Sequence, residues 1–149
     1  MCSSIRCGVL MVNVFIFVSV VGQVGFNLVN PMQVTQIRGI QFGDILNQAN
    51  VSCRLTSLSR EGTGCISSPS AVGEFHVVSS GDANVQIRVY SSISADVDFY
   101  PLLVNQSNQQ NYQLTSSGLA FSVGGDLNIK RALTEGGHNI TYTVEVNYL

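Results

Sequence analysis

From Gly136 to Leu149 the chain reads Gly-Gly-His-Asn-Ile-Thr-Tyr-Thr-Val-Glu-Val-Asn-Tyr-Leu, a two-residue alternation that runs to the C-terminus. Ile140, Tyr142, Val144, Val146 and Tyr148 fall on one face, and Asn139, Thr141, Thr143, Glu145 and Asn147 on the other. A pleated strand sends successive side chains to opposite sides, so this is the pattern of a half-buried β-strand, with Gly136 opening it. An ordinary last strand of a β-sandwich fits the alternation.

The rest of the chain repeats the period in shorter runs. Met32 and Val34 alternate ahead of Ile37, Ile40 and Phe42, and Ala49, Val51, Cys53 and Leu55 share one parity. Phe75 and Val77, then Val85, Ile87 and Val89, then Val97 and Phe99, and later Leu119, Phe121, Val123, Leu127 and Ile129 continue it. Gly124-Gly-Asp126 reads as a tight turn, Ser59-Arg-Glu-Gly62 as the centre of a hairpin, and the amide-rich Asn105–Asn111 as an exposed loop. No segment has a helical period. About seven to eight short strands with turn residues between them predict an all-β fold, an immunoglobulin-like antiparallel β-sandwich.

Three regions are expected. Residues 1–22 have Arg6 as their only charge, an apolar run over Gly8–Val21 and small or medium residues at Val20-Val-Gly22, the pattern of a signal peptide cleaved after Gly22. The run falls short of the ~20 residues that cross a bilayer, and Asn13 interrupts it, so no membrane span is expected after cleavage. Residues 23–30 form an N-terminal extension with Val24, Phe26 and Leu28 in alternation, closed off by Pro31. It reads as a strand to be donated to a neighbour, or else as the start of the first strand or a frayed terminus. Residues 31–149 are the sandwich domain.

Cleavage would remove Cys2 and Cys7 and leave Cys53 and Cys65 in an oxidising compartment, which predicts one disulfide. A two-cysteine metal site is the competing reading, but only His76 and His138 could complete it and neither has ligand spacing. No metal and no cofactor are therefore expected.

Two resemblances add to this reading. The closing strand, with its opening glycine and its tyrosine next to last, resembles the C-terminal motif of bacterial fimbrial subunits assembled by the chaperone and usher route. Ile40-Gln-Phe-Gly43, Phe121-Ser-Val-Gly-Gly-Asp-Leu127, Gly136 and Val144-Glu-Val-Asn-Tyr148, in that order, are similar to a bacterial secreted β-sandwich family, domain of unknown function 4402, over about residues 32 to 149. The resemblances imply a secreted protein that passes through the periplasm to the cell surface or a fimbrium. Its implied partners are like subunits, a periplasmic chaperone and an outer-membrane usher.

Composition and motifs narrow the function classes. Nine acidic and seven basic residues, with Lys130 the only lysine, leave no basic stripe for a nucleic-acid backbone. Gly-x-Ser-x-Gly, His-Glu-x-x-His and phosphate-cradling glycine loops are missing from the sequence, and no catalytic residues are assigned. By alternation His76 is a solvated or edge residue, and Asp96 and Asp98 form a charged edge that discourages stray pairing. The expected function is a structural subunit or surface component of a fimbria-like or pilus-like assembly, joined by β-strand addition. The alternative is a monomeric binding module for a ligand such as a surface glycan, with Tyr90, Tyr100 and Tyr112 as stacking aromatics.

Overall fold

The computed structural model describes residues 21–28 and 31–149. The expected signal peptide therefore lies almost wholly outside the described residues, as do Val29 and Asn30 of the extension. The described chain is all-β. Ten strands form, two of them only two residues long, against the seven or eight expected: β1 (Gln33–Arg38), β2 (Val51–Leu55), β3 (Arg60–Glu61), β4 (Gly73–Val78), β5 (Ala83–Tyr90), β6 (Ser92–Ile93), β7 (Val97–Leu102), β8 (Gln109–Leu114), β9 (Leu119–Ile129) and β10 (Thr143–Tyr148).

All pairings are antiparallel and make two sheets. The larger runs β1-β4-β9-β2-β3, with β7 also on β9 and β6 on β7; the smaller runs β10-β5-β8. Between them lies the main core, where Phe75, Val77, Phe121 and Val123 of the larger sheet meet Val85, Ile87, Val89 and Leu114 of the smaller. These are the alternating positions of each strand, and their removal from water is the main force holding the layers together. A second cluster, Val51, Phe99, Leu127 and Ile129, is covered by Phe42 and Ile45 from the segment after β1. The Arg60 guanidinium fixes that segment by donating to the backbone carbonyls of Phe42, Asp44 and Ile66.

The strand β9 overturns the expected turn at Gly124-Gly-Asp126. It runs straight through, pairing with β4 over Leu119–Val123 and with β2 and β7 beyond. A methyl carbon at Gly124 would overlap the Leu55 carbonyl oxygen, and one at Gly125, where φ is +152°, would overlap that of Tyr100. The two glycines let neighbouring backbones close on a continuous strand, a role that local sequence does not separate from a turn.

Three further expectations shift. The hairpin turn is Thr56-Ser-Leu-Ser59, because the Thr56 hydroxyl accepts from the amides of Leu58 and Ser59, and Arg60 and Glu61 are already paired with Leu55 and Arg54. Three of the seven residues of the amide-rich loop are strand: Gln109, Gln110 and Asn111 open β8, and Gln86 of β5 donates to the Asn111 side chain at 3.2 Å. Asp96 and Asp98 are not a bare charged edge, since Asp98 pairs with Lys130 at 2.8 Å and Asp96 with Arg131 at 3.7 Å.

The disulfide forms as expected. Cys53, wholly buried in β2, is bonded to Cys65, with their Cα atoms 5.1 Å apart. It links β2 to the segment after β3.

Candidate functional site

The terminal strand is shorter than its alternation. It begins at Thr143, opposite Tyr90, because β5 ends there and nothing beyond it can pair with residues 137–142. Gly136, at φ +127°, therefore belongs to the preceding loop and does not open the strand, and Ile140 lies outside it and exposed. Tyr142 lies just before the strand but keeps the inward side of Val144 and Val146, packing against both clusters with its ring 6.4 Å from Phe75 and 5.3 Å from Phe99, both edge-on. Burial pushes its phenol up to about 12, and its hydroxyl has no hydrogen-bond partner among the described residues.

Within β10, Val144, Val146 and Tyr148 stand opposite Val89, Ile87 and Val85; the first two pack on the main core, whereas Tyr148 is exposed. On the outer face Glu145 accepts from Tyr90 Oη at 2.8 Å and from the Asn147 amide, and sits across from Arg88. The Asn147 and Tyr90 hydrogen bonds, with Arg88 nearby, hold its carboxyl below the usual carboxylate range. The Tyr90 bond ties the strand to β5. Among the described residues β10 has no strand on its other side, so its second row of amides and carbonyls faces outward.

Ring contacts set how the layers overlap. Tyr142, next to β10, meets Phe75 of β4, whereas Tyr112 of β8 meets Phe121 of β9 at 6.5 Å. Tyr142 also meets Phe99 of β7, and in the larger sheet β1 is the edge strand beyond β4. Val34 of β1 pairs with Val77 of β4 and Gln36 with Phe75, so Val34 and Gln36 point toward the core side. All six residues of β1 are nonetheless exposed, Val34 to 43 %. Of the run Met32, Val34, Ile37, only Met32 packs on the main core; Val34 is exposed on the core side, and Ile37 sits in the register shift between Gln36 and Arg38, off the inward parity.

Two open features, together called the slot, are Val34, exposed on the core side of β1, and the edge of β10 left unpaired among the described residues, with half-buried Val144 and Val146. The extension carrying Val24, Phe26 and Leu28 pairs with neither sheet: residues 21–28 have no strand structure, and Phe26 is 76 % exposed.

Over residues 32–148 the sequence matches the family described as Domain of unknown function (DUF4402). The chain belongs to that family. The match takes in every strand of the DUF4402 domain described above and leaves the extension outside it. No curated protein and no solved structure matches the chain. Among the described residues no helix is long and apolar enough to cross a membrane.

The slot is the part of this site that sequence reasoning missed. Alternation reports which residues share a face but not whether a second sheet extends far enough to cover it. The one local signal is the polarity of β1, whose Gln33, Thr35, Gln36 and Arg38 surround Val34 and Ile37.

Proposed function

We propose that this protein is a structural subunit of a fimbria-like surface assembly, in which one subunit adds a strand to the next along β10. The observation that carries the reading is the uncovered inward face of β1 beside a one-sided β10, because a sandwich complete within one chain would cover Val34. An added strand meets both needs at once: it satisfies the outer row of β10 backbone groups and buries apolar surface on Val34, Val144 and Val146.

The extension supplies a strand of fitting size. Six residues, Gln23 to Leu28, extend to ~20 Å, the length of the six-residue β10. Val24, Phe26 and Leu28 alternate, as residues entering a row of pockets must, and full burial of each would contribute roughly 1.5–3 kcal/mol. Until a neighbour arrives, the slot is an open edge of the kind that aggregates. A periplasmic chaperone that covers it and an outer-membrane usher that exchanges it for the next subunit are the partners this reading requires. It places the mature protein at the cell surface.

Light scattering of the purified mature chain, with unheated samples on a denaturing gel, tests the reading. Polymers that persist until boiled, and that Phe26→Asp converts to monomers, are expected, since the charge would have to enter the slot unpaired. A mature chain that stays monomeric at high concentration and is indifferent to Phe26→Asp overturns it.

A further inference from the structure

The solvent face of the larger sheet carries a second feature, independent of the assembly edge. The pairing registers line up Glu61 of β3, Arg54 of β2, Asp126 of β9 and Tyr100 of β7 in one row across four strands. Ser52, Asn128 and Asp98 form the next row. Above them lies an open hollow of about 370 Å³, with Gly62 at its rim. Its size is within the ~300–1,000 Å³ of small-molecule sites.

The charges in the hollow are largely spent on one another. Arg54 reaches both Asp126 oxygens, Nε to Oδ1 at 2.6 Å and Nη2 to Oδ2 at 2.7 Å; Asp98, in the next row but outside the hollow's lining, is held by Lys130 at 2.8 Å. This disfavours an anion, since the forked donors of Arg54 are engaged and the remaining charge is the Glu61 carboxylate. A cation is no better served: no group of three or more His, Cys, Asp or Glu that could hold a metal ion occurs among the described residues. What stays available is neutral. Tyr100 is 36 % exposed, with its hydroxyl directed to Asp98 at 3.4 Å, and the side chains of Ser52 and Asn128 have no hydrogen-bond partner among the described residues.

We infer that this hollow binds a neutral saccharide. A pyranose presents an apolar C–H face and a rim of hydroxyls, and the hollow presents their complements: an aromatic face at Tyr100 beside a carboxamide, a hydroxyl and the outer lone pairs of Asp126. The paired Arg54 and Asp126 are fixed before a ligand arrives, so little side-chain freedom is lost on binding. A single open hollow of this depth binds weakly. Repetition along a polymer would raise its grip by multivalency, because each subunit carries the hollow on the sheet face turned away from the slot.

Saturation-transfer NMR on the full mature chain tests the site, because it reads ligand protons and works for monomer and polymer alike. The probes are cellotetraose, maltotetraose and lacto-N-neotetraose, with sialyllactose as the anionic comparison. Transfer to ring C–H protons of at least one neutral probe is expected. Tyr100→Ala and, separately, Asn128→Ala should each reduce it at least fivefold, while Val104→Ala, an exposed residue outside the hollow, should leave it unchanged. Far-UV circular dichroism establishes that each variant is folded, and Asn128→Ala keeps the test decisive if Tyr100→Ala is not. No transfer to any neutral probe, transfer to sialyllactose alone, or transfer that survives both variants overturns the site. None of these outcomes depends on whether the chain polymerises.

Discussion

Val34 of β1 and Val77 of β4 are paired across an antiparallel ladder and point the same way, yet Val77 has no exposed surface and Val34 keeps 43 % of its own. The pair marks where the second sheet stops. Val77 lies under the smaller sheet, and Val34 lies past its last strand.

The two valines should therefore respond differently to substitution. Val77→Ala should cost about 2 kcal/mol in denaturant unfolding, from lost burial plus the cavity left behind. Val34→Asp should cost under about 0.5 kcal/mol in the isolated subunit, as for surface positions generally, while abolishing polymer formation. Chemical denaturation read beside light scattering separates the two effects.

The faces of β10 can be tested at adjacent residues. Val146→Asp should destabilise by about 2–3 kcal/mol, less than at a fully buried site, because Val146 is half-buried. Glu145→Lys should cost about 1 kcal/mol, since it removes the acceptor for Tyr90 and Asn147 and places a like charge across from Arg88. Denaturation midpoints of both variants at pH 7 check the order.

The legibility of this fold in sequence followed the period of its strands. Phe75, Val77, Val85, Ile87 and Val89 were placed in the core by alternation because both of their faces obey it, apolar inward and polar outward. Alternation failed where a residue serves a distant contact. Gly124 and Gly125 read as a turn because a glycine pair looks the same whether the backbone reverses or merely lies close to another strand. Tyr142 read as part of the last strand; its inward side was legible, but the strand begins one residue later. At the site, the paired cysteines and the inward face of Val144 and Val146 were legible. The exposure of Val34 was not, since it depends on how many strands the opposite sheet has.

At Gly124, substitution by alanine should cost about 3 kcal/mol or more, because the neighbour in the way is the backbone of Leu55 and cannot move aside as a side chain could. A thermal unfolding scan shows it, and a loss under about 1 kcal/mol would mean the strands are less closely packed than described.

Tyr142 gives the stability a dependence on alkaline pH. Its pKa in the fold is raised to about 12 by burial, from an ordinary value of 10.0, so both states hold the proton below pH 10 and the contribution is complete there. Between pH 10 and 12 the unfolded chain releases the proton while the folded chain retains it, and stability falls. Tyr142→Phe should flatten that decline. It should also raise stability by about 1 kcal/mol at pH 7, because it removes a buried hydroxyl without a partner among the described residues.

Removing the disulfide with a Cys53→Ser, Cys65→Ser double variant should lower stability by about 3 kcal/mol, the loop entropy expected for a separation of 12 residues. The paired sheets should persist, with unchanged far-UV circular dichroism at low temperature. Alkylation of either cysteine without prior reduction would contradict the bond itself.

The most direct measurement of strand addition is a cross-link between subunits. A mature chain carrying Phe26→Cys, mixed with one carrying Val34→Cys under mild oxidation, should give a covalent heterodimer joined by residues 26 and 34. Peptide mapping would identify the bond, and Leu58→Cys, at an exposed site away from the slot, should give none in place of Val34→Cys. A mixture that forms no 26–34 bond, or one in which residue 26 couples as readily to residue 58, would contradict the account.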